Sequence, residues 1–387
     1  MPRNYGFLST YPPTECGLAT FTAALAGELR AASAANRVGV VRVVDQSPPS
    51  ARSEVVHHLL TSSPGGETEA AAILNGFDAV VVQHEYGIYG GPDGDQVLAV
   101  LDRLTVPLIV VLHTVLTAPT PHQREVLERV LAAADAVVTM TPTARRRLLQ
   151  GYLVDPARVA VIPHGAPDNR RPEPAGPPAV TGGPRALPRR PTILTWGLLG
   201  PGKGIEWVVD ALAALTDLDP KPRYLVVGET HPRVAEREGQ AYRRALMERA
   251  KRRDVTDLLE FDDRYLSVAA LGEIVAQADV VILPYDSRDQ VTSGVLVEAL
   301  ASGKPVIATG FPHAVELLGG GTGLIVPHGD AAAMAAALRR VLTAPGLAGS
   351  LSAKAAAVAP QLLWPAVAER YRVLTDSLVE ARDSAVA

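Results

Sequence analysis

Residues 290–316 read QVTSGVLVEALASGKPVIATGFPHAVE, and this stretch decides the fold of the chain. A polar loop leads into a helix that opens at residues 292–294, and a buried strand follows at 305–308. The unpaired N–H groups and positive dipole end of such a helix start suit a phosphate. Glu298 lies about 6–8 Å further along the helix axis, a distance that suits a ribose hydroxyl. An ordinary helix packed between two strands is the alternative interpretation.

Residues 192–209, TILTWGLLGPGKGIEWVV, form the second informative stretch. An apolar strand runs into a glycine-rich loop that carries Lys203, and a new helix begins after it. Glycines let the backbone approach a ligand closely, and the lysine can reach the same anion. This is not a Walker loop, because no Ser or Thr follows the lysine and the glycine spacing differs. The two stretches together predict an anion site.

Hydrophobic periodicity predicts an α/β fold in both halves of the chain. Short continuous runs of Val, Ile and Leu are typical of parallel strands that are buried on both faces. Helical segments such as 18–34 and 122–134 alternate with them, which predicts doubly wound parallel sheets. Ligands bind beyond the carboxyl ends of strands in such sheets, and the two stretches quoted above lie at such ends. The predicted strands are 5–8, 38–44, 79–82, 108–112, 136–140, 159–162, 192–196, 224–227, 258–261, 280–283, 305–307 and 323–326.

The composition places the chain among globular proteins and divides it once. At 387 residues the chain exceeds a comfortable single core, so two domains are expected. A net charge of -4 gives no footprint for nucleic acid, and the single Cys16 excludes an internal disulfide. The start shows no signal peptide and no run reaches ~18 apolar residues, so we expect a cytoplasmic protein without a membrane span.

Proline and glycine dominate residues 163–191, and hydrophobic periodicity vanishes there. We therefore place an N-terminal domain at 1–170 and a linker at 171–190. A second domain, the one that carries the predicted anion site, follows at 191–355, and the final helices span 356–387.

The two anion-site stretches resemble the donor-binding half of the retaining GT-B glycosyltransferases of family four, also described as group 1. Further motifs extend the resemblance from about residue 7 to about residue 342. The resemblance implies two Rossmann-like, doubly wound parallel-sheet domains with the active site in the cleft between them, and final helices that cross back toward the first domain. The matching motifs are YPPTECGLATFT at 11–22, VVQHEY at 81–86, VVLHT at 110–114, VIPHG at 161–165 and ADVVILPY at 278–285.

Specific residue roles also follow from the resemblance. It implies catalytic roles for Lys203 on the diphosphate, His113 on the donor sugar hydroxyls and Gln290 on the donor sugar. The donor or nucleotide ligands that it implies are Gly17, Gly200, Gly228, Arg264, Tyr265, Thr292, Ser293, Gly294 and Glu298. His84 and Glu85 fall on the acceptor side. No metal ligand is implied.

The sequence departs from the family pattern at two positions. The family has an arginine after the glycine of the first donor strand, where this chain has Leu198. The first acid of the family's acidic pair falls on Gln290, which keeps a carbonyl oxygen but carries no charge. Arg264 and Arg288 are candidates to replace the arginine.

The implied reaction is transfer of a hexose, with retention, from a UDP- or GDP-linked sugar to a hydroxyl acceptor. No cofactor and no obligatory metal are expected. A non-catalytic nucleotide-sugar-binding relative stays open as an alternative, as does a nucleotide-sugar hydrolase or epimerase of the same fold. A peripheral membrane contact through residues 145–147 also stays open, although three arginines more often form a solvated face.

Other chemistries lack their sequence signals. No Gly-x-Ser-x-Gly elbow occurs, which argues against a serine hydrolase. His57 and His58 are expected in a polar connecting region without the carboxylate spacing of a metal site. Asp262 and Asp263 are adjacent, so they do not form the alternating acidic motif of a metal-held diphosphate.

Overall fold

A computed structural model describes residues 2–46, 52–62, 65–170 and 189–386. Most of the expected linker, residues 171–188, lies outside the described residues. The chain forms two compact units. One comprises Met1–Gly165 together with Trp364–Ala387, and the other comprises Ala166–Leu363.

The first unit contains a seven-stranded, all-parallel sheet in the order β3-β2-β1-β4-β5-β6-β7. The order reverses between β1 and β4, as in doubly wound folds, so the switch point lies at their carboxyl ends. Its strands are β1 (Asn4–Ser9), β2 (Arg37–Val44), β3 (Val55–Leu60), β4 (Ala79–His84), β5 (Leu108–Leu112), β6 (Ala136–Thr139) and β7 (Val159–Val161). Its α-helices are α1 (Gly17–Ala31), α2 (Glu67–Leu74), α3 (Val97–Leu101), α4 (Pro121–Ala133), α5 (Pro142–Gly151) and, at the end of the chain, α14 (Trp364–Val386).

The core of this unit follows from its apolar strands. Residues of β4 and β5 are buried on both faces, as their continuous Val and Leu runs predict. Helix α14 packs on α1 and contributes Val367 and Tyr371 to the same core as Phe7 of β1 and Leu25 of α1. The last helix therefore belongs structurally to the first unit.

The second unit contains a six-stranded parallel sheet in the order β10-β9-β8-β11-β12-β13, with its switch point between β8 and β11. The prediction of two doubly wound parallel sheets is confirmed. Its strands are β8 (Thr192–Trp196), β9 (Arg223–Val227), β10 (Leu259–Asp262), β11 (Val280–Leu283), β12 (Val306–Thr309) and β13 (Leu324–Val326). Its α-helices are α6 (Ile205–Leu212), α7 (Pro232–Glu238), α8 (Ala241–Arg252), α9 (Val268–Gln277), α10 (Gly294–Ala301), α11 (Pro312–Leu318), α12 (Ala331–Thr343) and α13 (Leu347–Val358).

One expected connection is a strand. His57 and His58 lie in β3, which pairs with β2 at the edge of the first sheet, so the expectation of a polar connecting region was wrong. An edge strand needs no continuous apolar run, because one of its sides is not covered by another strand. The sequence VVHHLL therefore lacks the signal that identified the central strands.

In the described part of the chain, no single helix is long and apolar enough to cross a membrane. One pair of helices, Ala331–Thr343 and Leu347–Leu362, meets the test jointly, but the two are bent by 93° at their junction.

Candidate functional site

Two loops meet at the switch point of the second sheet. The glycine-rich loop after β8 accepts a hydrogen bond at the Gly202 carbonyl from the Asp286 N–H, at 3.0 Å, in the loop after β11. Gly204 has a φ of +66°, and a Cβ atom there would lie 1.8 Å from the Pro284 carbonyl oxygen. Only glycine fits this conformation and this approach. The glycine loop is therefore tied to the loop that precedes α10.

Lys203 occupies this loop as a cation without an acidic partner among the residues described. Its Nζ lies 4.8 Å from the centroid of the Tyr285 ring, and its backbone N–H donates to the Gly200 carbonyl at 3.2 Å. The side chain is half-buried, and burial lowers the pKa of Lys203. Desolvation that no nearby carboxylate offsets makes this ammonium a good ligand for an anion.

Glu298 lies one turn into α10 and faces the same tyrosine. The Trp196 indole N–H donates to Glu298 Oε2 at 3.2 Å, and burial raises the pKa of Glu298 to about 7. Burial raises the pKa of Tyr285, a hydrogen bond with Ser293 lowers it and the charge of Glu298 raises it, so Tyr285 lies close to the start of α10 as well as to Lys203. Within the described residues no donor binds Glu298 Oε1, so this oxygen can accept a ligand hydroxyl.

Gln290 is fixed by its own loop. Its side-chain Nε2 donates to the Thr292 carbonyl at 3.0 Å, and its backbone carbonyl accepts the His313 N–H at 3.3 Å. This leaves the amide oxygen as the group that a sugar hydroxyl can use. The hydroxyl oxygen of Thr292 is buried and has no hydrogen-bond partner in the described structure.

Ser293 departs from its expected role. Its side chain caps α10 by accepting the Leu296 N–H at 3.3 Å, but its backbone N–H donates to His313 Nδ1 at 2.8 Å. The Ser293 N–H is therefore occupied by protein, contrary to the expectation that it binds phosphate. Gly294 is the first residue of α10.

His313 is a site residue that the sequence analysis missed. It is buried at 2% exposure at the start of α11, and it anchors the donor loop through both its N–H and its ring. Its position after a strand and a proline carries no distinctive signal. Only the fold brings it to Ser293, twenty residues away in the chain.

Gly228 and Tyr265, two residues predicted to bind the nucleotide, have different surroundings in the structure. Gly228 has a φ of +130°, and a Cβ atom there would lie 2.2 Å from the Gly197 carbonyl oxygen, so a close backbone approach requires this glycine. Tyr265 is 40% exposed, and its backbone N–H donates to Glu229 Oε1 at 3.3 Å. A surface ring of this kind can stack on a base.

Of the two arginines that are candidates to replace the missing one, Arg264 is already paired with a carboxylate. Arg264 is exposed and donates two hydrogen bonds to the Asp262 carboxylate, at 2.8 and 2.6 Å. This pairing lowers the pKa of Asp262. Its charge is therefore already matched by a carboxylate. Arg288 is exposed in the loop after β11.

In the first unit, His84, Glu85 and His113 come together at the carboxyl ends of the paired strands β4 and β5. His113 Nε2 bonds Gln83 Oε1 at 2.7 Å, and its ring meets Phe21 edge-on with centroids 5.0 Å apart. Burial lowers the pKa of His113 to about 3, so its imidazole is neutral at physiological pH.

The two acceptor-side candidates differ in exposure. His84 is buried at 1% exposure, and burial lowers its pKa to about 4, so its ring cannot contact an acceptor in this conformation. Glu85 accepts the Thr114 hydroxyl at 2.5 Å and the Tyr86 N–H at 3.1 Å. Both residues therefore help to fix the structure at the carboxyl ends of β4 and β5.

Gly17 is the first residue of α1, directly after the loop that leaves β1. Apart from its chain neighbours and the backbone of its own helix, no atom of the described residues lies within 4 Å of the place where its Cβ would stand. Packing within the protein does not require glycine here, and the open space suits a ligand. Among the described residues there is no group of three His, Cys, Asp or Glu side chains that could hold a metal ion.

Two family models match the chain, one in each unit. Glycosyltransferase Family 4 matches residues 17–170, and Glycosyl transferases group 1 matches residues 190–344. Together they cover most of the sequence. The chain belongs to the family-4 glycosyltransferases.

Relatives of this family-4 member include D-inositol 3-phosphate glycosyltransferases. That of Kineococcus radiotolerans is 32% identical over 69% of this chain, and that of Actinosynnema mirum is 31% identical over 69% of it. The match spans 65% and 66% of these relatives' lengths, just under two thirds.

Solved structures confirm the fold. Sucrose-phosphate synthase from Thermosynechococcus elongatus has a TM-score of 0.76 at 20% identity, with 98% of this chain and 100% of that chain covered. Anabaena HepE in complex with UDP and glucose has a TM-score of 0.73 at 16% identity, with 97% and 100% covered. At these identities the similarity shows the fold alone.

Proposed function

We propose that this family-4 member is a retaining glycosyltransferase that moves a hexose from a UDP- or GDP-linked sugar to a hydroxyl acceptor. The observation that carries the proposal is the pairing of Lys203 and Glu298 around Tyr285 at the switch point. Lys203 is a cation with no acidic partner among the described residues, and Glu298 is a carboxyl with one oxygen that a ligand can use. A nucleoside diphosphate presents the complementary phosphates and ribose hydroxyls.

The chemistry follows from where charge develops. As the bond from the sugar to the diphosphate breaks, the anomeric carbon becomes cationic and negative charge grows on the leaving phosphate. The Lys203 ammonium, held in the glycine loop, would stabilise that charge without any reorganisation of water. Lys203 is half-buried, so a fixed charge is worth more there than on an open surface.

Gln290 bears on the route by which configuration would be retained. A glycosidase retains configuration through a carboxylate that forms a covalent glycosyl-enzyme intermediate. At the position where the family carries its first acid, this chain has an amide whose nitrogen is bonded to the Thr292 carbonyl. An amide is not such a nucleophile. We therefore propose that the leaving phosphate takes the acceptor's proton on the same face of the sugar.

The test measures nucleotide release from UDP-, GDP- and ADP-sugars, with and without a panel of hydroxyl acceptors. A transferase releases nucleotide fast only when an acceptor is present. Release without an acceptor would identify a hydrolase, and binding without release would identify a binding protein. Proton NMR of the first product reports whether the anomeric configuration is retained, and EDTA tests the proposed independence from metal.

Lys203→Ala should lower the turnover rate by about 10²–10³, the cost of removing one oxyanion donor. Lys251→Ala is the matched control, because Lys251 is an exposed lysine of α8 that forms an ion pair with the exposed Glu248 on the same helix. Both variants should melt close to the parent. Turnover of Lys203→Ala within a few-fold of the parent would remove Lys203 from the mechanism.

A further inference from the structure

The loop after β9 lies directly against the glycine-rich loop of the donor site. The Leu199 N–H donates to the Glu229 carbonyl at 2.7 Å, and the His231 N–H donates to the Leu199 carbonyl at 2.8 Å. Leu199 and Thr230 thus form a small parallel bridge. A Cβ atom at Gly200 would lie 3.1 Å from the Val234 side chain, so α7 also packs close to the glycine loop.

This bridge places His231 beside the loop that carries Lys203. The His231 ring is half-buried, and its Nδ1 accepts the Arg233 N–H at 3.2 Å, which caps the start of α7. A neutral imidazole whose Nδ1 accepts must carry its proton on Nε2. No protein group binds Nε2 in the described part of the chain. The ring therefore presents a defined N–H donor.

The surroundings of His231 are basic. Burial lowers the pKa of His231, and the charges of Arg233, Lys203 and Arg237 lower it further. Glu229, a carboxylate two residues before His231, accepts the Tyr265 N–H. A group of cations and one donor histidine is thus held together by the bridge, at the position where the family's arginine is replaced by Leu198.

We propose that His231 is a second ligand of the nucleotide diphosphate, and that its Nε2–H and the Lys203 ammonium bind phosphoryl oxygens in place of the missing arginine. The inference rests on the proposed function, since it assigns a residue to the same donor site. The ligand class is a nucleoside diphosphate. Because Nδ1 accepts the Arg233 N–H, the ring would bind phosphate as a neutral donor.

Two substitutions separate the proposed role from the structural one. In His231→Asn the amide oxygen can still accept the Arg233 N–H, because Asn is a good N-cap, but the distal donor is lost. In His231→Gln the side-chain NH₂ reaches about as far as Nε2, but the cap acceptor is displaced. A purely structural histidine is preserved by Asn, and a diphosphate ligand is preserved better by Gln.

The experiment is calorimetric titration of the full chain with UDP, GDP and the corresponding nucleosides. We expect His231→Asn to melt like the parent and to lose about 10- to 100-fold in UDP or GDP affinity, the range for a hydrogen bond to a charged group. Nucleoside affinity should not change. His231→Gln should recover part of the loss.

The contrary outcomes are distinct. Equal diphosphate affinity of the parent and His231→Asn overturns the role of His231 and leaves the proposed function standing. An equal loss for the diphosphate and the nucleoside also overturns it, because it indicates a reshaped pocket. A parent that binds none of the nucleotides overturns both proposals.

Discussion

Burial holds the pKa of Glu298 near 7, whereas the same carboxyl in an unfolded chain titrates near 4.5. Between these values the folded protein keeps a proton that the unfolded chain has released. The resulting contribution to stability is present at low pH and is lost as pH rises through 7. A ribose hydroxyl prefers the charged form as its acceptor, so ligand binding and stability place opposite demands on this residue.

Glu298→Gln should therefore weaken nucleoside binding and stabilise the free protein at pH 8. The affinity of the parent for uridine, which has a ribose and no phosphate, should rise between pH 6 and pH 8, and the variant should show no such rise. NMR titration gives the affinities, and urea unfolding at pH 5 and 8 gives the stabilities. A pH-independent uridine affinity in the parent would mean that Glu298 does not bind the ribose.

The limits of sequence reasoning are visible at the same scale. Lys203 and Glu298 could be selected because each lies at a strand or helix end with glycine or polar neighbours. Trp196, Tyr285 and His313 could not be selected, because their roles depend on contacts between segments far apart in the chain. Trp196 contacts Glu298, Tyr285 contacts Lys203, and His313 binds the Ser293 N–H. The occupied Ser293 N–H was missed for the same reason.

At the scale of elements, β2 contains a buried arginine that lowers the stability of the fold. Arg42 is 5% exposed, and its only side-chain hydrogen bond in the described structure runs from Nη2 to the Thr14 hydroxyl, at 2.8 Å. Its Nε and Nη1 are buried without partners, and burial lowers the pKa of Arg42. An unpaired guanidinium of this kind costs stability.

Arg42→Met should raise the free energy of unfolding by about 1–3 kcal/mol, the desolvation penalty of unsatisfied buried polar groups. Arg37→Met is the control, since Arg37 begins the same strand and is exposed, and it should change stability by less than about 0.5 kcal/mol. Denaturant unfolding measures both. A destabilised Arg42→Met protein would show that the guanidinium has a stabilising partner.

The helices and strands differ in how accurately they can be predicted from the sequence. Strands β8 and β11 were predicted at their observed limits, because apolar runs end at glycine and proline there. Helix α10 begins after Ser293 as its cap predicts. Strand β3 gave no signal because its two histidines break the run, and only pairing with β2 defines it.

At the scale of the whole molecule, the chain leaves the first unit after Gly165 and re-enters it at Trp364. The return places three large side chains of α14 in the first unit's core, where Val367 and Tyr371 are fully buried and Trp364 is 7% exposed. Trp364 also meets Phe21 of α1 edge-on, with centroids 5.0 Å apart. The first unit therefore cannot complete its core from its own continuous segment.

A chain that ends at Leu363 should unfold selectively. Each large apolar side chain removed from the core costs about 1.5–3 kcal/mol, and three of them approach the 5–15 kcal/mol that stabilises a whole domain. The second unit keeps all its residues, so it should stay folded and retain nucleotide binding.

A chain that ends at Val379 is the control, because it loses only residues outside that core. Hydrogen exchange should show loss of protection in β1, β2 and α1 of the shorter chain, with β8 and β11 protected as in the parent. Uniform loss of protection in both units would instead mean that they fold as one cooperative body.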